Sequence, residues 1–274
     1  VSALRELAGM AARGDSGRPG PGSGSRGSAR SAAALSLARH ARLMPALLVL
    51  TGEAPAAGTE PLRASVADIT GYPSVRARGL QRLSRARVPL AASENCEFVV
   101  YRELFNDAEH VAIVIGTPDL ARPVPVRLHS SCLTGDLLAS LRCDCGDQLR
   151  GAAERIAEAG GGVILYLAQE GRGIGLVNKL RAYSLQEQGL DTLQADRYLG
   201  FRDDERDYTA ACAMLQDLGI GRVLLLTNNP EKIAALDACD IEVAGRMPLP
   251  AAVNPHNARY LRTKRERAGH LSSD

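Results

Sequence analysis

The chain has no tryptophan, three phenylalanines, seven tyrosines and almost no net charge, with 33 Lys and Arg against 31 Asp and Glu in 274 residues. Few aromatics means few stacking platforms for bases, and balanced charge provides no field to recruit a polyanion, so a nucleic-acid partner is not expected. Also missing is any apolar run near the roughly 20 residues that a bilayer-spanning helix needs. The longest candidate, residues 43–50, is broken by Pro45, and no membrane association is expected. The first residues mix charge with Gly and Ser and lack the apolar centre of a secretory signal, so the expected compartment is a reducing cytoplasm. Six cysteines in that setting are not expected to form a disulfide framework, and closely spaced ones more often bind metal.

What is present is a core-forming chain, 45% hydrophobic, whose texture changes along its length. Residues 14–31 are Gly, Pro, Ser and Arg with almost nothing apolar, which reads as a flexible linker. A helix is expected after it, ending before Pro45, then a strand to Leu50. Residues 51–90 are mixed and end in a basic segment. From about residue 92, strand signals in "CEFVVYREL", "EHVAIVIG", "VPVRLH", "VILYLA" and "RVLLL" alternate with helix signals in "GDQLRGAAERIAEAGGG", "GLVNKLRAYSLQEQG", "DDERDYTAACAMLQDLG" and "NNPEKIAALDAC". The third of these helices would be N-capped by Asp203 or Asp204. The expectation is an α/β domain over 92–274, a mixed sheet flanked by helices, preceded by a smaller N-terminal extension over 1–91. Ligands of such folds sit at the carboxyl ends of strands.

Four stretches carry candidate chemistry. Cys132, Cys143 and Cys145 can offer three thiolates to one Zn²⁺, leaving a fourth tetrahedral position for water. A fourth ligand from His129 or Cys96 would instead make the site structural, and buried free thiols are the plain alternative. "QEGRGIGL", following a strand, has glycines that admit a ligand close to the backbone, with Arg172 as an anion fork. "LTNNPEKI" places free N–H groups and Lys232 at a helix start, either a phosphate cradle or an ordinary cap. "DDERDY" alone reads as a solvated helix start.

Together, "RLHSSCLTGDLLASLRCDCGDQL", "QEGRGIGLVNKLRAYSLQEQGLDT", "LGFRDDERDY", "LLLTNNPEKI" and "NPHNARYLRTKRERAGHL" resemble the GTP cyclohydrolase II family, in order, from about residue 95 to the end. The resemblance implies conversion of GTP to 2,5-diamino-6-ribosylamino-4(3H)-pyrimidinone 5′-phosphate with release of formate and pyrophosphate, the first step of riboflavin biosynthesis. It implies one zinc per subunit on Cys132, Cys143 and Cys145, Mg²⁺ with the triphosphate, and a homodimer. Asp204 falls at the family's proton acceptor, Arg206 at its nucleophile toward the α-phosphate, and Tyr183 at a further catalytic position. GTP contacts map onto Arg127, Leu128, His129, Ser130, Ser131, Gln148, Glu170, Gly171, Arg172, Thr192, Thr227 and Lys232.

Three positions depart from the family pattern. Ser131 stands where a Glu is usual, Ala168 where an Arg is usual, and Gly245 where a Glu is common. A rival expectation is therefore a GTP-binding paralogue with altered or lost ring opening. The stretch "AAALSLARHARLMPALLVL" resembles, more faintly, the end of a 3,4-dihydroxy-2-butanone 4-phosphate synthase domain. The acidic metal motif of that enzyme is absent, so residues 1–91 are expected to lack synthase activity.

Overall fold

Runs such as "VILYL" have apolar residues on both sides of an extended chain, and burying them requires cover on both faces of a sheet. In the computed structural model of the chain, which describes residues 28–47, 62–104, 107–249, 253–258 and 262, that is what forms. Seven strands, β1 (Gln81–Arg87), β2 (Cys96–Arg102), β3 (Glu109–Gly116), β4 (Val124–Ser130), β5 (Gly161–Leu167), β6 (Arg222–Leu226) and β7 (Glu242–Met247), lie in the order β1-β2-β3-β5-β4-β6-β7. The pairs from β1 to β5 are antiparallel, and β5, β4, β6 and β7 run parallel. The sheet is mixed, as expected, and the carboxyl ends of β4, β5 and β6 lie side by side.

The helices are α1 (Ala29–His40), α2 (Val66–Arg78), α3 (Cys145–Glu158), α4 (Gly175–Glu187), α5 (Thr192–Tyr198), α6 (Thr209–Asp217) and α7 (Pro230–Asp237). Residues of β5 alternate between two cores. Val163, Leu165 and Leu167 join Ala211, Met214 and Leu215 of α6 and Leu236 of α7, while Ile164 joins Ala152 and Ile156 of α3. Each large side chain buried there contributes about 1.5–3 kcal/mol.

Several elements differ from the sequence reading. The helix expected from Asp203 or Asp204 begins at Thr209, because Asp207 Oδ1 accepts from the Thr209 N–H at 2.9 Å and its hydroxyl at 2.7 Å. Upstream of it, the Glu205 N–H donates to Arg172 O at 3.2 Å and holds the segment out of helical geometry. At the other end, α1 starts inside the stretch read as linker, where the Ser28 side chain accepts from Ser31 N. Residues 14–27 of that stretch, and 48–50 of the strand read before Leu50, lie outside the described residues, while Ala46 and Leu47 are not in a strand. Unread elements include β1, which begins ahead of residue 92 and whose residues are all exposed, leaving no alternation to detect. β7 and the short α5 were also not anticipated. Finally, Cys212 of α6 and Cys239 just past α7 form a disulfide that the sequence reading did not single out, their Cα atoms 6.1 Å apart, while Cys96, Cys132, Cys143 and Cys145 are free thiols.

The chain divides into two compact units, one from the described part of Val1–Tyr72 with Val177–Asp204, the other from Pro73–Leu176 with Glu205–Asp274. The first is helical. Arg39 of α1 donates to Gly200 O at 3.1 Å, Asn178 of α4 donates to Arg42 O at 3.0 Å, and Asp191 with Gln194 closes a capping box on α5. The second unit holds the whole sheet. Among the described residues, no helix is long and apolar enough to cross a membrane.

Candidate active site

At the end of β4 the chain turns through Leu133–Leu137 and returns at the start of α3, bringing Cys132, Cys143 and Cys145 together. Their Sγ atoms all lie within 4.8 Å of one another, with Cys132 and Cys143 at 3.8 Å. These cysteines form a group able to hold a metal ion. Hydrogen bonding to Cys132 raises the thiols of Cys143 and Cys145, as crowding of sulfurs should. Gly135 N–H donates to Cys132 Sγ at 3.3 Å. A side chain there would meet Cys143 Sγ at 2.8 Å, so only glycine lets the main chain lie against the sulfurs. Cys96, considered as a fourth ligand, instead donates its thiol to Ser93 O.

Beneath the sulfurs lies a residue that sequence reasoning missed. Asp136 accepts from Cys132 N–H at 2.9 Å and from the Tyr166 hydroxyl at 2.9 Å, and faces His129 Nε2 at 3.1 Å. The proton of His129 is therefore assigned to Nε2, and burial lowers its pKa, so the ring is neutral. His129 Nδ1 and Arg127 Nε are buried without a hydrogen-bond partner among the described residues. Such orphaned atoms are costly unless a ligand or water completes them.

The other predicted contacts in this unit gather on the same strand ends. Arg127, its pKa lowered to about 10 by burial, donates to Leu226 O at 3.0 Å and to Gln148 Oε1 at 2.6 Å. Lys232 is buried and donates to Leu128 O at 2.6 Å, so in this structure its ammonium binds the main chain at one of the predicted contact residues. Thr227 is buried, and its hydroxyl accepts from Asn229 N–H at 3.0 Å. Ser130 bonds Gln169 Oε1 at 3.5 Å, and Ser131 N–H donates to Leu167 O at 2.8 Å.

After β5 the chain makes a tight turn over Glu170–Gly173. Gly171 and Arg172 both have positive φ, 65° and 60°. That conformation is ordinary for glycine and strained for arginine, as is common where a side chain is held for binding. Glu170 Oε2 accepts from Leu133 N–H at 2.7 Å, which ties this turn to the cysteine loop. Arg206 lies with its guanidinium 5.8 Å from the Tyr208 ring centre.

Tyr183, Thr192 and Asp204 belong to the helical unit. Tyr183 is on α4, with Lys179 Nζ 5.9 Å from its ring centre, Thr192 opens α5, and Asp204 ends the unit in a partly buried position.

The family model described as GTP cyclohydrolase II matches residues 81–248. The chain is 52% identical over 249 residues to GTP cyclohydrolase-2 of Azospirillum brasilense, covering 88% of this chain and 65% of that protein. It is 57% identical over 163 residues to GTP cyclohydrolase-2 of Azotobacter vinelandii, covering 60% of this chain and 78% of the relative. With the riboflavin biosynthesis protein RibBA of Synechocystis sp. it shares 48% identity over 208 residues, 75% of this chain and 37% of the other. The chain thus spans less than two thirds of the Azospirillum relative's length, and 61% of the length of GTP cyclohydrolase-2 from Xylella fastidiosa.

Proposed function

This chain belongs to the GTP cyclohydrolase II family, and from that premise we propose that it opens the five-membered ring of GTP, giving 2,5-diamino-6-ribosylamino-4(3H)-pyrimidinone 5′-phosphate, formate and pyrophosphate. The observation that carries the reading is the Cys132, Cys143, Cys145 group at the strand ends, tied to the Glu170–Gly173 turn by the Glu170–Leu133 hydrogen bond.

The three sulfurs would hold Zn²⁺, and the fit rests on their spacing, their crowding and the Gly135 N–H that supports Cys132. When bound, the ion supplies Lewis-acid activation of water near neutral pH, which attack at C8 of guanine requires. The chain's own residues do the rest. His129 Nδ1 and Arg127 Nε are buried polar atoms suited to completion by a polar ligand. Arg172, held at positive φ, supplies positive charge for the triphosphate, which carries Mg²⁺. Arg206 takes the nucleophile's place: its guanidinium gives up a proton as a nitrogen bonds the α-phosphorus and pyrophosphate leaves, and water later hydrolyses that N–P bond to give the 5′-phosphate; Asp204 accepts a proton, and Tyr183 orients the reacting group. Thr192 contributes to nucleotide binding.

The test is incubation of the zinc-loaded chain with GTP and Mg²⁺, following pyrimidinone absorbance, formate and product mass. Formate with the pyrimidinone product is expected. Absence of turnover at full zinc loading would sink this reading.

A second reading, a GTP-binding paralogue without ring opening, draws on the lack of a carboxylate at Ser131 and of a cation at Ala168. It predicts GTP binding, or pyrophosphate release alone, without formate.

A further inference from the structure

Arg76 lies on α2, ahead of the residues 81–248 that match the family, in the stretch of the chain least informative as sequence. Its guanidinium forks. Nη2 donates to Asp207 Oδ2 at 3.1 Å, and Nε lies 3.1 Å from Glu103 Oε2 in an ion pair that lacks hydrogen-bond alignment. Glu103 continues to His110, whose Nε2 lies 3.0 Å from Glu103 Oε1, and both residues are buried, at 4% and 2% exposure. His110 Nδ1 accepts from the Ala168 N–H at 3.1 Å, which assigns the donor to Nε2, facing Glu103. The next residue, Gln169, donates its side-chain amide to Asp207 O. The path Arg76, Glu103, His110, Ala168 and Gln169, Asp207 and back to Arg76 is a closed ring.

Two loops are joined by that ring. One is the turn after β5, where Ala168 and Gln169 precede Glu170 and Arg172. The other is the segment before α6, where Asp207 follows Arg206, and Asp207 Oδ1 is already committed to capping Thr209. A second tie, Glu205 N–H to Arg172 O, connects the same two loops. The turn contains a non-glycine residue at positive φ, which persists only where the surroundings over-determine it. Lysine would not reproduce this, because one planar group hydrogen-bonds Asp207 through Nη2 while its Nε edge pairs by charge with Glu103.

We infer that Arg76 is a positioning residue for the site: by bridging Glu103 and Asp207 it holds the loop of Arg206 in fixed register with the turn of Glu170 and Arg172. The chain ahead of the matched domain therefore contributes to the geometry of the site. The activity arm of this inference rests on the proposed cyclohydrolase function; the exchange arm does not.

Arg76→Ala would leave the buried Glu103 carboxylate without its cation, so the variants to make in the 274-residue chain are Asp207→Asn, which retains the acceptor for Thr209 N–H, and Arg76→Met combined with Glu103→Gln, which strands no charge. In hydrogen exchange followed by mass spectrometry, amides in 168–173 and 203–207 are expected to exchange about tenfold faster or more, with 134–145 unchanged. With GTP, kcat is expected to fall by about ten- to a hundredfold at equal zinc content and little change in KM, as for reacting groups displaced by a fraction of an ångström. Unchanged exchange in the two loops, or faster exchange confined to α2, would overturn the inference. So would faster exchange with undiminished turnover, since Arg76 would then be only a structural contact. If the wild-type chain itself fails to consume GTP, the functional reading falls and the exchange result alone decides whether the ring holds the loops.

Discussion

Between Cys132 and Cys145 the chain builds a sulfur cluster from neighbouring sequence, one short turn folding back so that Gly135 N–H reaches Cys132 Sγ at 3.3 Å. Arg206 is placed differently: its neighbour Asp207 is held by Arg76 and, through Glu103 and His110, by the backbone at Ala168. The first arrangement depends on local conformation and on one position with no Cβ. The second depends on four separate segments arriving together. A local cluster should fail through its own residues alone, and a long-range ring should fail from a distance.

The largest effect that would test this contrast is expected from Cys143→Ser. Metal analysis should find zinc essentially lost and formate production abolished, with loops 168–173 and 203–207 unaltered in hydrogen exchange. Zinc content equal to wild type would contradict the ligand assignment. Next comes Gly135→Ala, whose Cβ would lie 2.8 Å from Cys143 Sγ. Competition against a chromophoric chelator should show zinc affinity reduced by about 10- to 100-fold, the range seen when support around metal ligands is lost. Arg206→Ala should retain zinc fully while losing pyrophosphate release, separating the two regions from the other side. A cysteine-loop change that sped exchange near Asp207 would erase the distinction between them.

The smallest expected effect concerns pH. Burial holds the His129 imidazole below its ordinary 6.5, so on acidification the unfolded chain takes up that proton first. Stability is then lost as pH falls below about 6.5, by at most about 1.4 kcal/mol per pH unit for one proton. Urea midpoints followed from neutral to mildly acid pH should show that slope in the wild-type chain and a shallower one in His129→Gln.

Much of the sheet could be read in advance. β3 and β6 fall on "EHVAIVIG" and "RVLLL" as expected, because each is a bounded apolar run with no competing helical period. β1 could not be read, since "QRLSRAR" is exposed along its whole length and pairs through its backbone with β2. The start of α6 was misplaced because Glu205 N–H is drawn to Arg172 O, a contact distant in sequence, and Asp207 rather than Asp203 or Asp204 accepts from Thr209 N–H. The cysteine ligands were visible from spacing, but Asp136 was not, since nothing in "LTGDL" says that its carboxylate turns beneath Cys132.

By itself, the sequence determined the strand and helix alternation of the second half, the cysteine trio and the glycine-rich turn, all of which rest on interactions between near neighbours. Tertiary structure alone decided that β1 joins the sheet, that Cys212 meets Cys239, that Lys232 turns inward to Leu128, and that Arg76 closes a ring with Asp207. Those contacts join residues far apart in the chain. Their partners are selected by which strand ends and helix starts the packed cores bring side by side, and no local pattern encodes that choice.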